Sequence, residues 1–335
     1  MPSKPPRHEW IDLFRGLAVI GMVETHASNT FLDSALQETS AYASLSYFHG
    51  LVAPSFFWIM GYLRGLTFFH SPKARPAWPA AKRLLQIMLV GYLMHLPWGL
   101  MSELGFSAAA QWRIFMVDVL QCLGVSGLLL LAIERIKFPW AVAMGALFLV
   151  VVFADSATHW RTGFIPLDAY FTREHGSLFP LFPWAGFALA GFIISRWTVD
   201  KIGTAILGAA LALGADYLPG IGATPAFFLE RLGWIILLAS ATRFGMDPLL
   251  QKKRPWFGWL YLAGRESLVV YVVHLALIHA VPWPEGSLER TIGPTQPILN
   301  VALLFVGLLS ASLLCGALNE WRKKARLSKP ATALN

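Results

Sequence analysis

Ten apolar runs follow one another along the chain and leave room for little else. At about 17 to 25 residues per bilayer crossing, they fall near 12–32, 43–69, 84–101, 114–133, 138–154, 178–195, 202–218, 227–243, 257–281 and 297–318. In lipid every backbone N–H and C=O must find its partner within the protein, so runs of this length are predicted to be helices. Composition agrees, with 56% hydrophobic and 14% charged residues over 335 positions, far from the balance of a soluble enzyme. The expected fold class is all-α: a polytopic transmembrane helical bundle of about ten spans, forming one integral-membrane domain over 1–335. Asp12 and Arg15 stand where a signal peptide would be purely apolar, so residue 1 is read as the mature start.

A net charge of +8 can signal nucleic acid, but here Lys and Arg fall in short clusters between apolar runs. That is the pattern of cytoplasmic loops under the positive-inside rule. With both termini cytoplasmic, twenty of the 27 basic residues face inward, including Lys82, Arg83, Lys252 and Lys323. Five face outward (Arg113, Arg161, Arg173, Arg231 and Arg290), while Arg64 and Arg265 lie near inner span ends. Cys122 and Cys315 are far apart with no CxxC or Cys/His spacing, so neither a disulfide framework nor a metal site is expected. Trp10, Trp78, Trp98, Trp112, Trp256, Trp259, Trp283 and Trp321 are read as interfacial anchors. The outward loop Asp155 to Ser177 is read as a solvated connector, the alternative being a cover over an outward-facing acceptor site.

An ionisable side chain at the bilayer centre costs about 2.5 to 3.5 kcal/mol and needs a partner, a watery cavity or a function. The first run holds the densest set. Asp12 and Arg15 are three apart and can pair on one helical face. Arg15 and His26 are eleven apart, which places them on nearly the same face and roughly 16 Å apart along the axis. Glu24 points about 160° away from His26. For Arg15 the competing role is a snorkelling anchor, and for His26 a satisfied buried imidazole. His49, Asp118 and Gln121 are expected to make interhelical hydrogen bonds. In the ninth run Ser267, Tyr271 and His274, at offsets of four and three, share one face that could pack against the first.

The Asp12-Leu-Phe-Arg15-Gly-Leu stretch, followed by His26 after ten intervening residues, resembles the pattern of membrane acyltransferase family three. Three further segments are similar to the heparan-α-glucosaminide N-acetyltransferase catalytic-domain family and its bacterial relatives within the transmembrane acyltransferase superfamily. They are Val119-Leu-Gln-Cys-Leu-Gly-Val-Ser126, Phe179-Pro-Leu-Phe-Pro-Trp-Ala-Gly186 and Gly264-Arg-Glu-Ser-Leu-Val-Val-Tyr-Val-Val-His274. Cys122 departs from the Arg often found after Val-Leu-Gln in that family, and the additional lumenal segment of the eukaryotic enzymes is absent, so heparan itself is not expected as acceptor.

The resemblance implies transfer of an acetyl or other short acyl group from cytoplasmic acyl-CoA, with acetyl-CoA as donor and no metal. The acceptor would be a glycan hydroxyl or amine, or another small molecule, on the far side of a bacterial cytoplasmic (inner) membrane. Arg15, Arg64, Lys82, Arg83 and Arg265 would hold the donor phosphates, since guanidinium groups match phosphate oxygens. His26, with Arg15 and Asp12 organising the donor end, would act as general base or nucleophile. Asn29, Tyr271 and His274 are the candidates for substrate contact. Membrane lipid is an expected partner, nucleic acid is not, and homo-oligomerisation stays open. A proton-coupled small-molecule transporter or a helix-packing scaffold would share many of these features.

Overall fold

The computed structural model describes residues 8–70, 76–96, 114–174, 176–197, 201–217, 222–279 and 286–327, and among them every regular element is helical. In chain order the principal helices are α1 (Glu9–Phe31), α2 (Ser40–His49), α3 (Val52–Phe69), α4 (Ala77–Met94), α5 (Val119–Ile133) and α6 (Pro139–Val152). They continue with α7 (Leu181–Ile194), α8 (Lys201–Gly214), α9 (Ala223–Ala241), α10 (Arg254–Arg265), α11 (Ser267–His279) and α12 (Ile298–Leu327). Each apolar run therefore contains a helix. The run ends at 97–101, 218 and 280–281, together with Trp98, Trp112 and Trp283, lie outside the described residues.

By length and composition three stretches qualify as membrane spans, Ser40–Phe69, Ala223–Gln251 and Ile298–Arg326, and α10 with α11 makes a fourth if counted as one. The apolar helices α5, α6, α7 and α8 are shorter than a full crossing, and α1, interrupted by Asp12, Arg15 and Glu24, falls below the same standard. Apolar helices of this number and kind are those of an integral membrane protein.

The chain divides into two compact units, one formed by Met1–Val52 with Ala241–Asn335, the other by Ala53–Ser240. In the first, α1 packs against α10, α11 and α12. Its closest approach is to α10. A Cβ at Gly16 would strike the Leu260 carbonyl, and one at Gly264 would strike the Asp12 carbonyl. Small residues let two backbones meet in this way, the usual device for packing helices in lipid. Leu13, Leu260 and Tyr261 close the core beside this contact. The far end of α1 is pinned as well: Gln296 N–H donates to Phe31 O (2.9 Å), and Asp33 N–H donates to Gln296 O (3.0 Å).

The ninth run, a single segment by sequence, is two helices meeting at 81°. The corner is Glu266, with φ −105° and ψ 26°. Its buried carboxylate accepts from Asn319 Nδ2 (2.7 Å) and from Lys323 Nζ (2.7 and 2.9 Å) on α12. A charge placed in the middle of an apolar run is thus satisfied by bending the run towards its partners. Trp10 packs in the same unit. It is buried within the protein, and the Arg243 guanidinium lies 5.5 Å from its ring centroid.

In the second unit α4 packs on α5, and α7 packs on α5 and α6. The buried Asp118 caps α5 by accepting from Val119 N–H (2.7 Å) and also contacts His95 Nε2 at 2.7 Å. The Asp155 to Ser177 connector is folded on itself. Asp168, 3% exposed, accepts from Thr162 N–H (2.7 Å), Thr162 Oγ1 (2.6 Å) and Gly163 N–H (3.1 Å). Burial and the neighbouring Tyr92 hydroxyl push the Tyr170 phenol well above its ordinary range. On the exposed rim, Glu174 holds the Arg161 guanidinium protonated more firmly than usual.

Candidate functional site

Seven of the sequence-predicted site residues lie in the first unit, and α1 organises them. Asp12, buried near its start, packs its backbone on Gly264. One turn on, Arg15 Nη1 donates to the Gly264 carbonyl at 3.3 Å. Eleven residues later His26 meets His274 of α11: their ring centroids are 5.0 Å apart, and His274 Nε2 lies 3.1 Å from His26 Nδ1. The shared face deduced for Arg15 and His26 is therefore the face that α1 turns to the bent α10–α11 segment. Tyr271 is edge-on to His274 at 5.9 Å between centroids.

Hydrogen-bond partners restrict the protonation of this pair. His274 is fully buried, and its Nδ1 lies 2.6 Å from the Val270 carbonyl, which can only accept. A neutral His274 therefore carries its hydrogen on Nδ1 and its lone pair on Nε2. His26 Nδ1, facing that lone pair and the Met22 carbonyl at 2.8 Å, must be the donor. The lone pair of a neutral His26 is then on Nε2. Two backbone carbonyls thus set the tautomer of both rings in the neutral pair, and an imidazole in this form has the lone pair that general-base or nucleophilic chemistry requires.

The basic residues assigned to the donor differ from one another. Arg15 and Arg265 belong to the first unit; Arg64, Lys82 and Arg83 belong to the second. Arg265 pairs with Glu320 at 2.9 Å, and its buried Nε has no hydrogen-bond partner among the described residues. Arg64 forms a two-pronged pair with Glu134, one prong at 2.7 Å. Lys82 and Arg83 are exposed on α4. Asn29 is exposed near the end of α1, and its Oδ1 accepts from Tyr42 OH at 2.5 Å. A cavity of about 610 Å³ in the first unit, lined by Leu277, Thr291, Gln296, Asn300 and Leu303 among others, includes none of the predicted site residues.

Sequence reasoning pointed Glu24 away from His26, gave His49 an interhelical hydrogen bond, and passed over Tyr42 and Ser28. The structure brings all four together: Glu24 Oε2 lies 2.5 Å from His49 Nε2, Ser28 Oγ donates to Glu24 Oε1 at 2.5 Å, and the Tyr42 and His49 rings meet edge-on at 6.1 Å. Helical spacing held a signal. Glu24 and Ser28 are four apart on α1, and Tyr42 and His49 are seven apart on α2, so each pair shares a face.

The family model described as heparan-alpha-glucosaminide N-acetyltransferase, catalytic, matches residues 7–218. The chain belongs to this family. Membership makes it one of a family of transmembrane acetyltransferases. The matched residues include Arg15, His26, Cys122 and the Phe179 to Gly186 segment, whereas Gly264 to His274 lies beyond them. No curated protein matches the chain.

Proposed function

We propose that this member of the family moves an acetyl, or other short acyl, group from acyl-CoA on the cytoplasmic side of a bacterial inner membrane to a glycan hydroxyl or amine on the opposite side. The observation that carries the proposal is the His26–His274 contact, because transfer from a thioester needs a base or nucleophile of defined tautomer. In the direct route His26 Nε2 takes the proton of the acceptor hydroxyl or amine as its oxygen or nitrogen bonds to the thioester carbonyl carbon. The C–S bond then breaks, and CoA leaves as a thiolate that is protonated as the imidazolium gives up its proton. In the covalent route the same lone pair attacks first and acetyl-His26 is the intermediate. His274 acts through His26 in both.

Arg15, beside the α10 corner, and Asp12, whose backbone contacts Gly264, would order the donor end. Arg64 and Arg265 would reach a CoA phosphate only by sharing or leaving Glu134 and Glu320, whereas the exposed Lys82 and Arg83 would not face that competition. Whole purified protein given radiolabelled acetyl-CoA should bind the donor and release CoA thiol. A His26→Ala variant with full transferase activity would overturn the assignment. Solute uptake into proteoliposomes without any acyl donor is the outcome expected of a transporter instead.

A further inference from the structure

The cavity in the first unit includes neither histidine of the reactive pair, and its lining is sorted by polarity. Along α12 its wall is the stripe of Asn300, Leu303, Leu304, Gly307 and Leu308, one face of the helix at i, i+3, i+4 spacing. Leu277 of α11 and Leu288 and Ile292 of the short helix Leu288–Ile292 complete the apolar lining. Gly307 keeps the floor open, because a Cβ built there would meet nothing within 4 Å. The polar lining is confined to Thr291, Gln296 and Asn300, around the start of α12, and none of the lining residues is charged.

Ile298–Arg326 is apolar and long enough to cross a bilayer. Residues at its start therefore stand near one edge of the hydrocarbon layer, and those that follow stand deeper. From Asn300 to Leu308 the stripe descends about 12 Å. The cavity thus has a hydrogen-bonding mouth near the membrane surface and a hydrocarbon-lined body below it, the polarity gradient of a lipid molecule. Its volume of about 610 Å³ lies within the range of about 300 to 1,000 Å³ usual for small-molecule sites. At the mouth, Thr291 Oγ1 donates to the Ser287 carbonyl (2.9 Å), Gln296 Nε2 to the Ile292 carbonyl (3.2 Å) and Asn300 Nδ2 to Gln296 Oε1 (2.9 Å). Asn300 Oδ1 and the Thr291 hydroxyl oxygen are left to accept, so a head bearing hydroxyls finds partners there. An anionic head would lose water without gaining a cation from the lining, which disfavours it.

We propose that this cavity is a lipid site for a single-chain amphiphile with an uncharged, hydroxyl-bearing head, a monoacylglycerol in chemical class. Its acyl chain lies along the α12 stripe, and its glycerol hydroxyls donate to Asn300 Oδ1 and Thr291 Oγ1. The site is independent of acyl transfer, and its role is to brace the first unit. Leu277 lies three residues beyond His274 on α11, and the Gln296 backbone pairs with Phe31 and Asp33 at the end of α1. A bound chain fills the space between the ends of α11 and α12 that these contacts adjoin.

Native mass spectrometry of the whole protein, released from nanodiscs that contain equimolar monooleoylglycerol and oleate, tests it, since the two probes share a chain and differ in head charge. One monooleoylglycerol should be retained per protein, about tenfold in preference to oleate. Gly307→Phe, whose ring would occupy the open floor, should weaken retention by about tenfold or more. Leu303→Trp, at a lining position 63% exposed, should act in the same direction. Ala302→Phe, five residues from Gly307 and about 140° round α12, adds a ring to another face and should change nothing. Asn300→Leu should bring the two probes to within about twofold. Monooleoylglycerol should raise the unfolding midpoint of the wild type by about 2 to 4 °C and leave that of Gly307→Phe unmoved. Wild-type helicity by circular dichroism in all four variants would show that they fold. Equal retention by Gly307→Phe and the wild type, oleate held as firmly as monooleoylglycerol, or a dimer of the chain with no bound lipid overturns the assignment.

Discussion

Each unit contains a histidine held by a carboxylate, and the two pairs part company at the second ring nitrogen. In the second unit His95 Nε2 meets Asp118 at 2.7 Å while Nδ1 meets the Gly91 carbonyl at 2.9 Å, so both nitrogens are occupied. In the first unit His49 Nε2 meets Glu24, but Nδ1 has no partner among the described residues. Asp118 also caps α5, so its pair joins two helices and closes on itself. The lesson is that an intramembrane imidazole beside a carboxylate is not a site by virtue of the pair. What distinguishes structure from chemistry is the nitrogen left over.

Four measurements can break or sharpen that contrast. The largest effect is expected at His26: replacing it with Ala should lower kcat for acetyl transfer by about 10²- to 10⁴-fold, the usual contribution of a general base, read as CoA release. Next comes the closed pair. Asp118→Ala should lower stability by about 3 to 5 kcal/mol, because it strands a buried imidazole and uncaps α5, whereas His49→Ala should cost less, because the carboxylate of Glu24 is more exposed and keeps its Ser28 partner. Equal losses of stability in the two variants would erase the distinction.

His274 comes third. His274→Leu should lower kcat by about 10- to 100-fold with KM for acetyl-CoA unchanged, as outer partners of reactive groups usually do. His274→Gln, which keeps an acceptor opposite His26 Nδ1, should restore part of the rate. A fall in KM affinity rather than kcat would show that His274 touches the donor instead of ordering His26. The smallest effect belongs to the exposed Lys82 and Arg83. Their joint replacement by Ala should raise KM for acetyl-CoA by about two- to threefold at low salt and by less at high salt, where exposed charges are screened.

The helices were legible because hydropathy alone specifies them, and the common face of Arg15 and His26 followed from eleven residues at 100° each. The corner at Glu266 was not. The apolar pattern runs through it, and the bend depends on Asn319 and Lys323, more than fifty residues away. Arg64 and Arg265 looked like donors for phosphate because their partners, Glu134 and Glu320, are equally remote. Glu24 was rightly turned from His26, yet its role depended on a residue of α2 that no helical-wheel argument along α1 could supply. Local periodicity therefore revealed which faces are polar, while the choice between a closed pair and an open one lay in contacts between helices.

The corner at Glu266 also reaches beyond the protein. An 81° corner sets α11 at a steep angle to α10, so the two cannot both run along a bilayer normal, and the polar groups gathered at Glu266 stand between them. Any mismatch between this bent segment and the hydrocarbon layer has a cost that changes with lipid chain length. Acyl-chain length thus becomes a variable of the enzyme itself. Thin bilayers should favour the bent state, and thick ones should strain the helix that holds His274 against His26.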